Sequence, residues 1–171
     1  YHLILLAKNM TGYKNLMILS SMAFVDGFYM KPRIDLNVLS QHSEGLICLS
    51  ACLAGQIPHL ILQGKYNEAK EVAIRMRDMF DEGDFYIELQ DHGLDDQKRT
   101  NPQLIKLAKD LGIEMVITND SHYLNKEDSD MHDTLLCMQT TSDKDDPNRF
   151  HFENNEFYVK TASELRDIFS W

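Results

Sequence analysis

The sequence predicts an α/β fold of parallel strands joined by crossover helices. Short continuous apolar runs at residues 1–7, 46–50, 85–89 and 113–118 have the length and composition of buried strands. Between them lie segments whose apolar residues recur at helical spacing, most clearly at 65–80. Alternation of the two types is what right-handed crossovers impose on a parallel sheet. An open doubly wound sheet and part of a (β/α) barrel both satisfy the pattern. In both, functional residues gather at the C-terminal ends of the strands.

The first strand is followed by Thr11, a capping residue for a helix with Tyr13, Leu16, Met17 and Ser20 on one face and Gly27 near its end. Residues 28–39 read as irregular around Lys31-Pro32-Arg33. The second strand runs into Ala51-Cys52-Leu53-Ala54-Gly55. In the helix at 65–80, Tyr66, Ala69, Val72, Ala73, Met76 and Phe80 share a face. The third strand leads into Gln90-Asp91-His92-Gly93. Asn101-Pro102 reads as a helix start, a capping side chain before proline at the first helical position, and Gly112 as its stop. The fourth strand leads into Asn119-Asp120-Ser121-His122. A helix follows at 126–138, then a polar loop at 140–155 containing Pro147. Thr161 and Glu164 form a capping box ahead of Leu165, Ile168 and Phe169.

The 171 residues amount to one domain, and such a chain buries roughly 70% of its unfolded surface. With 43% hydrophobic and 26% charged residues it is neither collagenous, low-complexity nor disordered. No apolar run approaches the length of a transmembrane helix, so no membrane partner is expected. A net charge of −10 argues against a surface that wraps nucleic acid directly, because phosphate contacts need clustered Lys and Arg. It leaves room for a metal-dependent enzyme, whose cations bridge an acidic site to a phosphate. Three scattered cysteines, Cys48, Cys52 and Cys137, make no disulfide framework and point to reduced thiols in a cytoplasmic protein. The chain opens on Tyr1-His2 inside an apolar run and stops on Trp171, and both ends read as cut from a longer protein.

Asp120 and His122 offer the strongest local chemistry. Side chains two apart on a strand point to one face, and a carboxylate beside an imidazole suits Zn²⁺, Mn²⁺ or Fe²⁺. A strand-end turn with Asp120 as a cap and His122 in solvent fits the same residues. Cys52 is either a thiolate ligand or nucleophile, or a small residue packing its turn, whereas Cys48 and Cys137 read as core. Glu88, Gln90 and His92 share a strand face if the strand persists that far, and a solvated strand end is the alternative. His2 stands at the start of a strand, the wrong end by the barrel rule. Lys31 and Arg33 are candidates for a phosphate or for a solvated loop. His132 either faces the strand ends or lies exposed. His42, His59 and His151 have no partner at a useful spacing. No phosphate loop, dinucleotide fingerprint, zinc-ribbon cysteine pair or serine nucleophile elbow is present.

Assembled, the motifs say more than their spacings. His2-Leu-Ile-Leu-Leu-Ala-Lys-Asn9, Thr11-Gly-Tyr-Lys-Asn-Leu16, Phe28-Tyr-Met-Lys-Pro-Arg-Ile-Asp35 and Gly45-Leu-Ile-Cys-Leu-Ser-Ala-Cys-Leu-Ala-Gly55 come first. Tyr86-Ile-Glu-Leu-Gln-Asp-His-Gly93, Thr118-Asn-Asp-Ser-His-Tyr-Leu124, Met131-His-Asp-Thr-Leu-Leu-Cys137 and Phe157-Tyr-Val-Lys160 continue in order. Together they resemble the PHP (polymerase and histidinol phosphatase) domain family, in the form carried by the bacterial replicative DNA polymerase III alpha subunit, along essentially the whole chain.

That resemblance implies a distorted (β/α)7 barrel, of which residues 1–171 are the C-terminal portion, with 140–171 leading towards a polymerase region. It implies two or three divalent metals, Zn or Mn in the first place and Mg as a further option. His2, Cys52, Asp120 and His122 match the later four ligand positions, against the local readings of His2 and Cys52; the remaining ligands lie upstream. Asp120 and His122 are thereby the expected catalytic residues and Arg33 and Lys31 the expected substrate-binding ones, while Glu88, His92 and His132 match recurrent positions near the strand ends, beside the ligands rather than among them. The implied activity is 3′–5′ exonuclease proofreading within a DNA-directed DNA polymerase, with primer-template DNA and other holoenzyme subunits as partners and the cytoplasm as its place. A silent PHP module that braces the polymerase and docks a proofreading subunit is the alternative, and a small-molecule phosphatase of the same fold is a third.

Overall fold

Four strands lie in one sheet in the order β1–β2–β3–β4, comprising Ile4–Ala7, Leu46–Leu49, Phe85–Leu89 and Met115–Ile117. The structure is a computed structural model describing residues 1–170, and Trp171, on which the chain stops, lies outside the described residues. Helices α1 (Met10–Val25), α2 (Leu36–Gln41), α3 (Gln56–Leu62), α4 (Tyr66–Arg77) and α5 (Asp95–Leu111) alternate with the strands. A 3₁₀ turn at Lys126–Asp128, α6 (Ser129–Thr140) and α7 (Ala162–Ile168) complete the chain. The mixed α/β class is as predicted.

Strand direction departs from the prediction of a parallel sheet. β2 and β3 are parallel, with Cys48 opposite Phe85, but β1 is antiparallel to β2, with Ile4 opposite Leu49 and Ala7 opposite Leu46. An apolar run marks a strand and leaves its direction to the pairing, which is why the sequence pattern missed it; nor are all four runs buried as predicted, since Leu6 and Ala7 of β1 and Met115 and Ile117 of β4 are exposed. The reversal brings the start of β1 beside the C-terminal end of β2. His2 therefore stands at the end of the sheet where sites form, and the objection to its position disappears.

The chain divides into two compact units, one of Tyr1–Leu89 with Arg99–Val116, the other of Gln90–Lys98 with the chain from Ile117 onward. In the first unit, Leu46 and Cys48 of β2, Ile87 of β3, Ala69 and Ala73 of α4, and Leu107 and Ala108 of α5 are fully buried. Each such Leu or Ile contributes about 1.5–3 kcal/mol of apolar transfer. α1 is capped by Asn9 rather than Thr11, with Asn9 Oδ1 accepting from Gly12 N at 3.0 Å. Its buried face carries Gly12 and Leu19, with Leu16 half-buried, while Tyr13, Met17 and Ser20 are exposed. Gly12 is required by a close approach, since a Cβ there would stand 1.8 Å from the Gly45 carbonyl oxygen.

Residues 28–39 are less irregular than predicted, because Asp35 caps α2 by accepting from the Asn37 and Val38 amides. α5 starts at Asp95, ahead of the predicted Asn101-Pro102, and takes Pro102 into its interior. Its acidic first turn, Asp95 and Asp96, suits the positive N-terminal end of a helix. Proline then costs one hydrogen bond within a helix already under way.

The second unit holds α6 and α7, with the predicted capping box at Thr161 and Glu164 formed in full. Cys137, predicted as core, is only half-buried. Lys160 is buried there, and its Nζ bonds the Glu156 carbonyl oxygen.

Candidate metal centre

In the first unit the antiparallel β1 delivers His2 to the turn that follows β2. The His2 amide donates to Ala54 O at 3.0 Å. That turn is tight: Ala51 has φ +65°, and the Gly55 amide donates to Cys52 O at 2.7 Å. As a result Cys52 Sγ stands 3.7 Å from His2 Nδ1. Cys52 is half-buried. The Cys48 thiol, by contrast, is sealed in the core and pushed up by burial and then by nearby Glu88.

Arg33 and His2 line one cavity of about 510 Å³ together with Asp35, Ser50 and Gln56. The Arg33 guanidinium lies over the exposed Tyr29 ring at 5.2 Å, a cation–π contact. Lys31 is exposed and accepts a backbone bond from Tyr29. Glu88 is 2% exposed on β3, and its amide donates to Ser50 Oγ at 2.9 Å.

In the second unit Asp120 Oδ1 and His122 Nε2 stand 3.5 Å apart, each side chain roughly 40% exposed. Asp120 has φ +38° in a turn pinned by Asn119 Nδ2, which donates to Ser121 Oγ and Tyr158 O, and by the His122 amide, which donates to Phe157 O. The His122 ring packs on Phe152 at 4.8 Å and faces His132 at 5.7 Å. The His132 imidazole is held below the usual histidine range by partial burial first and by His122 second, with Asp133 acting the other way. His132 and His151 line a polar cavity of about 270 Å³ with Asp133 and Arg149, which form a bidentate ion pair at 2.6 and 2.8 Å.

His92 overturns the picture of a solvated strand end. β3 stops at Leu89, so Glu88, Gln90 and His92 share no strand face, yet all three are buried. Gln97, Asn119 and Phe157, which surround His92, carry no sequence signal of that role.

Donor spacing tests whether the pairs suit a metal. Two ligands of one tetrahedral zinc, at bond lengths of about 2.3 Å to sulfur and about 2.05 Å to nitrogen or oxygen, stand about 3.6 Å apart for S/N and about 3.3 Å apart for N/O. The observed 3.7 Å and 3.5 Å are close to these edges. Each pair fits as part of a donor set, though among the described residues no group of three or more His, Cys, Asp and Glu side chains is arranged to hold an ion.

Residues 1–92 match the family model described as PHP domain, a stretch that includes His2 and Cys52. The chain is 54% identical over 169 residues to the DNA polymerase III subunit alpha of Treponema pallidum, covering 99% of this chain and 14% of that protein. To the protein of the same name from Borreliella burgdorferi it is 47% identical over 170 residues, 99% of this chain and 15% of that one. To that from Thermus aquaticus it is 48% identical over 167 residues, 97% of this chain and 14% of that one. The chain thus spans 14–15% of the length of these curated relatives.

Proposed function

Because the chain belongs to the PHP domain family, we propose that it is a PHP segment of a bacterial DNA polymerase III alpha subunit, with His2, Cys52, Asp120 and His122 as ligands of divalent metals serving 3′–5′ exonuclease proofreading. The observation that carries the reading is the donor spacing, 3.7 Å between Cys52 and His2 and 3.5 Å between Asp120 and His122. The four-stranded sheet is read as part of a distorted (β/α)7 barrel. Residues 140–171 lead from it towards the polymerase region of the parent. Primer-template DNA and other holoenzyme subunits are the partners, and the cytoplasm is where they meet.

Zn²⁺ or Mn²⁺, with Mg²⁺ as a further candidate, supplies Lewis acidity for water and phosphodiester when bound. The protein's own residues do the rest. Asp120 brings the negative charge that attracts a cation, and His2 and His122 bring neutral imidazole nitrogens. Cys52 binds as the thiolate, the form that ligates metal. Arg33, lying over Tyr29, presents a planar fork suited to phosphate oxygens, with Lys31 as a second cation nearby in sequence. His132 packs beside His122.

A silent module that braces the polymerase and docks a proofreading subunit is the alternative reading. Removal of a mismatched 3′ terminus by the intact polymerase, with Mn²⁺ or Zn²⁺ added, separates the two readings. Loss of hydrolysis in Asp120→Asn with polymerisation retained is expected. Hydrolysis that survives the substitution overturns the ligand assignment, and a wild type that polymerises without hydrolysing supports the silent module.

A further inference from the structure

His92 is 1% exposed, and its polar atoms are all engaged within the second unit. Its amide donates to Gln97 Oε1 at 2.7 Å, and its carbonyl accepts from Asn154 Nδ2 at 2.8 Å. Gln97 Nε2 faces His92 Nδ1 at 2.9 Å, and His92 Nε2 faces the Asn119 carbonyl oxygen at 2.8 Å. The ring stacks on Phe157 with centroids 4.5 Å apart and planes within 9°.

These partners fix the tautomer. A backbone N–H can only donate, so Gln97 turns its oxygen to the His92 amide and its NH₂ to Nδ1. Nδ1 therefore accepts, the proton sits on Nε2, and the Asn119 carbonyl, which can only accept, takes it. That bond lands on the peptide leading into Asp120. The direction of the Asn119 carbonyl sets the plane of the Asn119–Asp120 peptide, and Asp120 holds φ +38°, a conformation that persists only where its surroundings over-determine it.

We infer that His92 is a positioning residue, whose Nε2–H holds the Asn119–Asp120 peptide and so keeps the Asp120 carboxylate and the His122 imidazole aimed at a common ligand. What the pair holds rests on the metal-site reading above; the grip on the turn rests on this geometry.

The test compares His92→Gln with His92→Asn in the intact protein. Both lose the stack on Phe157. Glutamine can carry an N–H near the place of Nε2, whereas asparagine reaches only to the place of Nδ1. Crystal structures of both metal-free variants and calorimetric Mn²⁺ titrations are the readouts. His92→Gln keeps Asp120 at positive φ and binds Mn²⁺ within about threefold of the wild type. His92→Asn releases the peptide and binds Mn²⁺ about 10–100-fold more weakly, the usual range for a lost support of a ligand. Equal losses in both variants, or an unmoved Asp120 in metal-free His92→Asn, overturn the inference. A wild type that binds no Mn²⁺ overturns the metal reading instead, and the metal-free structures then decide the positioning role.

Discussion

Replacing Gly12 by alanine tests the packing that sets β1 beside β2. Propensity alone predicts a gain, because alanine in a helix interior is favoured over glycine by about 1 kcal/mol. The structure predicts the opposite sign. A Cβ at residue 12 would meet the Gly45 carbonyl oxygen at 1.8 Å, so the helix and the turn must part by at least 1.2 Å to reach the 3.0 Å that Cβ contacts respect. Backbone lies on the far side of the contact, so no side chain can swing away. The separation stretches the 2.9 Å bond from Lys8 N to Gly45 O and the 2.9 Å bond from Asn15 Nδ2 to Glu44 O beyond hydrogen-bond range. At about 1 kcal/mol each, these losses exceed the propensity gain. The net is a destabilisation of about 1 kcal/mol, before any loosening of Leu46. Urea unfolding followed by far-ultraviolet circular dichroism measures it, with Ser20→Ala on the exposed side of α1 calibrating a substitution without the clash. A Gly12→Ala chain as stable as the wild type, or more stable, refutes the reasoning.

The bond from Tyr158 Oη to Glu164 Oε1, at 2.7 Å, shapes the behaviour of α7 at both ends of the pH scale. The Tyr158 bond first, and the Thr161 bonds after it, lower Glu164 from 4.5 to about 2, so its contribution is full above pH 4.5 and is lost as pH falls through about 2. The same bond raises Tyr158 from 10.0 to about 12, so that contribution is full below pH 10 and is lost as pH rises through about 12. Glu164→Gln should return the Tyr158 phenol towards 10 in an ultraviolet titration, and an unchanged titration would refute the pairing. Leu107→Ala empties a fully buried site in the first unit and should cost about 2–5 kcal/mol in the same urea assay; a loss under 1 kcal/mol would mean that α5 is not packed as described.

The alternation of apolar runs and helical stripes is enough to read the fold class, and the strand at 85–89 and the helix at 65–80 fall close to where periodicity puts them. The direction of β1 is not legible, because an apolar run says nothing about the neighbour's polarity, and its burial is misread as well, with Leu6 49% exposed. His2 is the residue most affected: its position is at the wrong end only if every strand is parallel. Asp35 ahead of Leu36 and Leu39 is a readable cap for α2, hidden behind Pro32. Asn101-Pro102 is a sound local start signal overridden by a helix already begun at Asp95. His92 is the hardest case, since its burial depends on Phe157, Asn119 and Asn154, residues distant in sequence with no motif linking them.

Cobalt binding tests the proposed centre most directly, because a cobalt-bound thiolate gives a charge-transfer band in the near ultraviolet that does not depend on catalysis. Titration of the intact protein with Co²⁺ should raise this band, and Cys52→Ser should abolish it. A wild type without the band, or a band that survives Cys52→Ser, would contradict the assignment of Cys52 and His2 to a metal site.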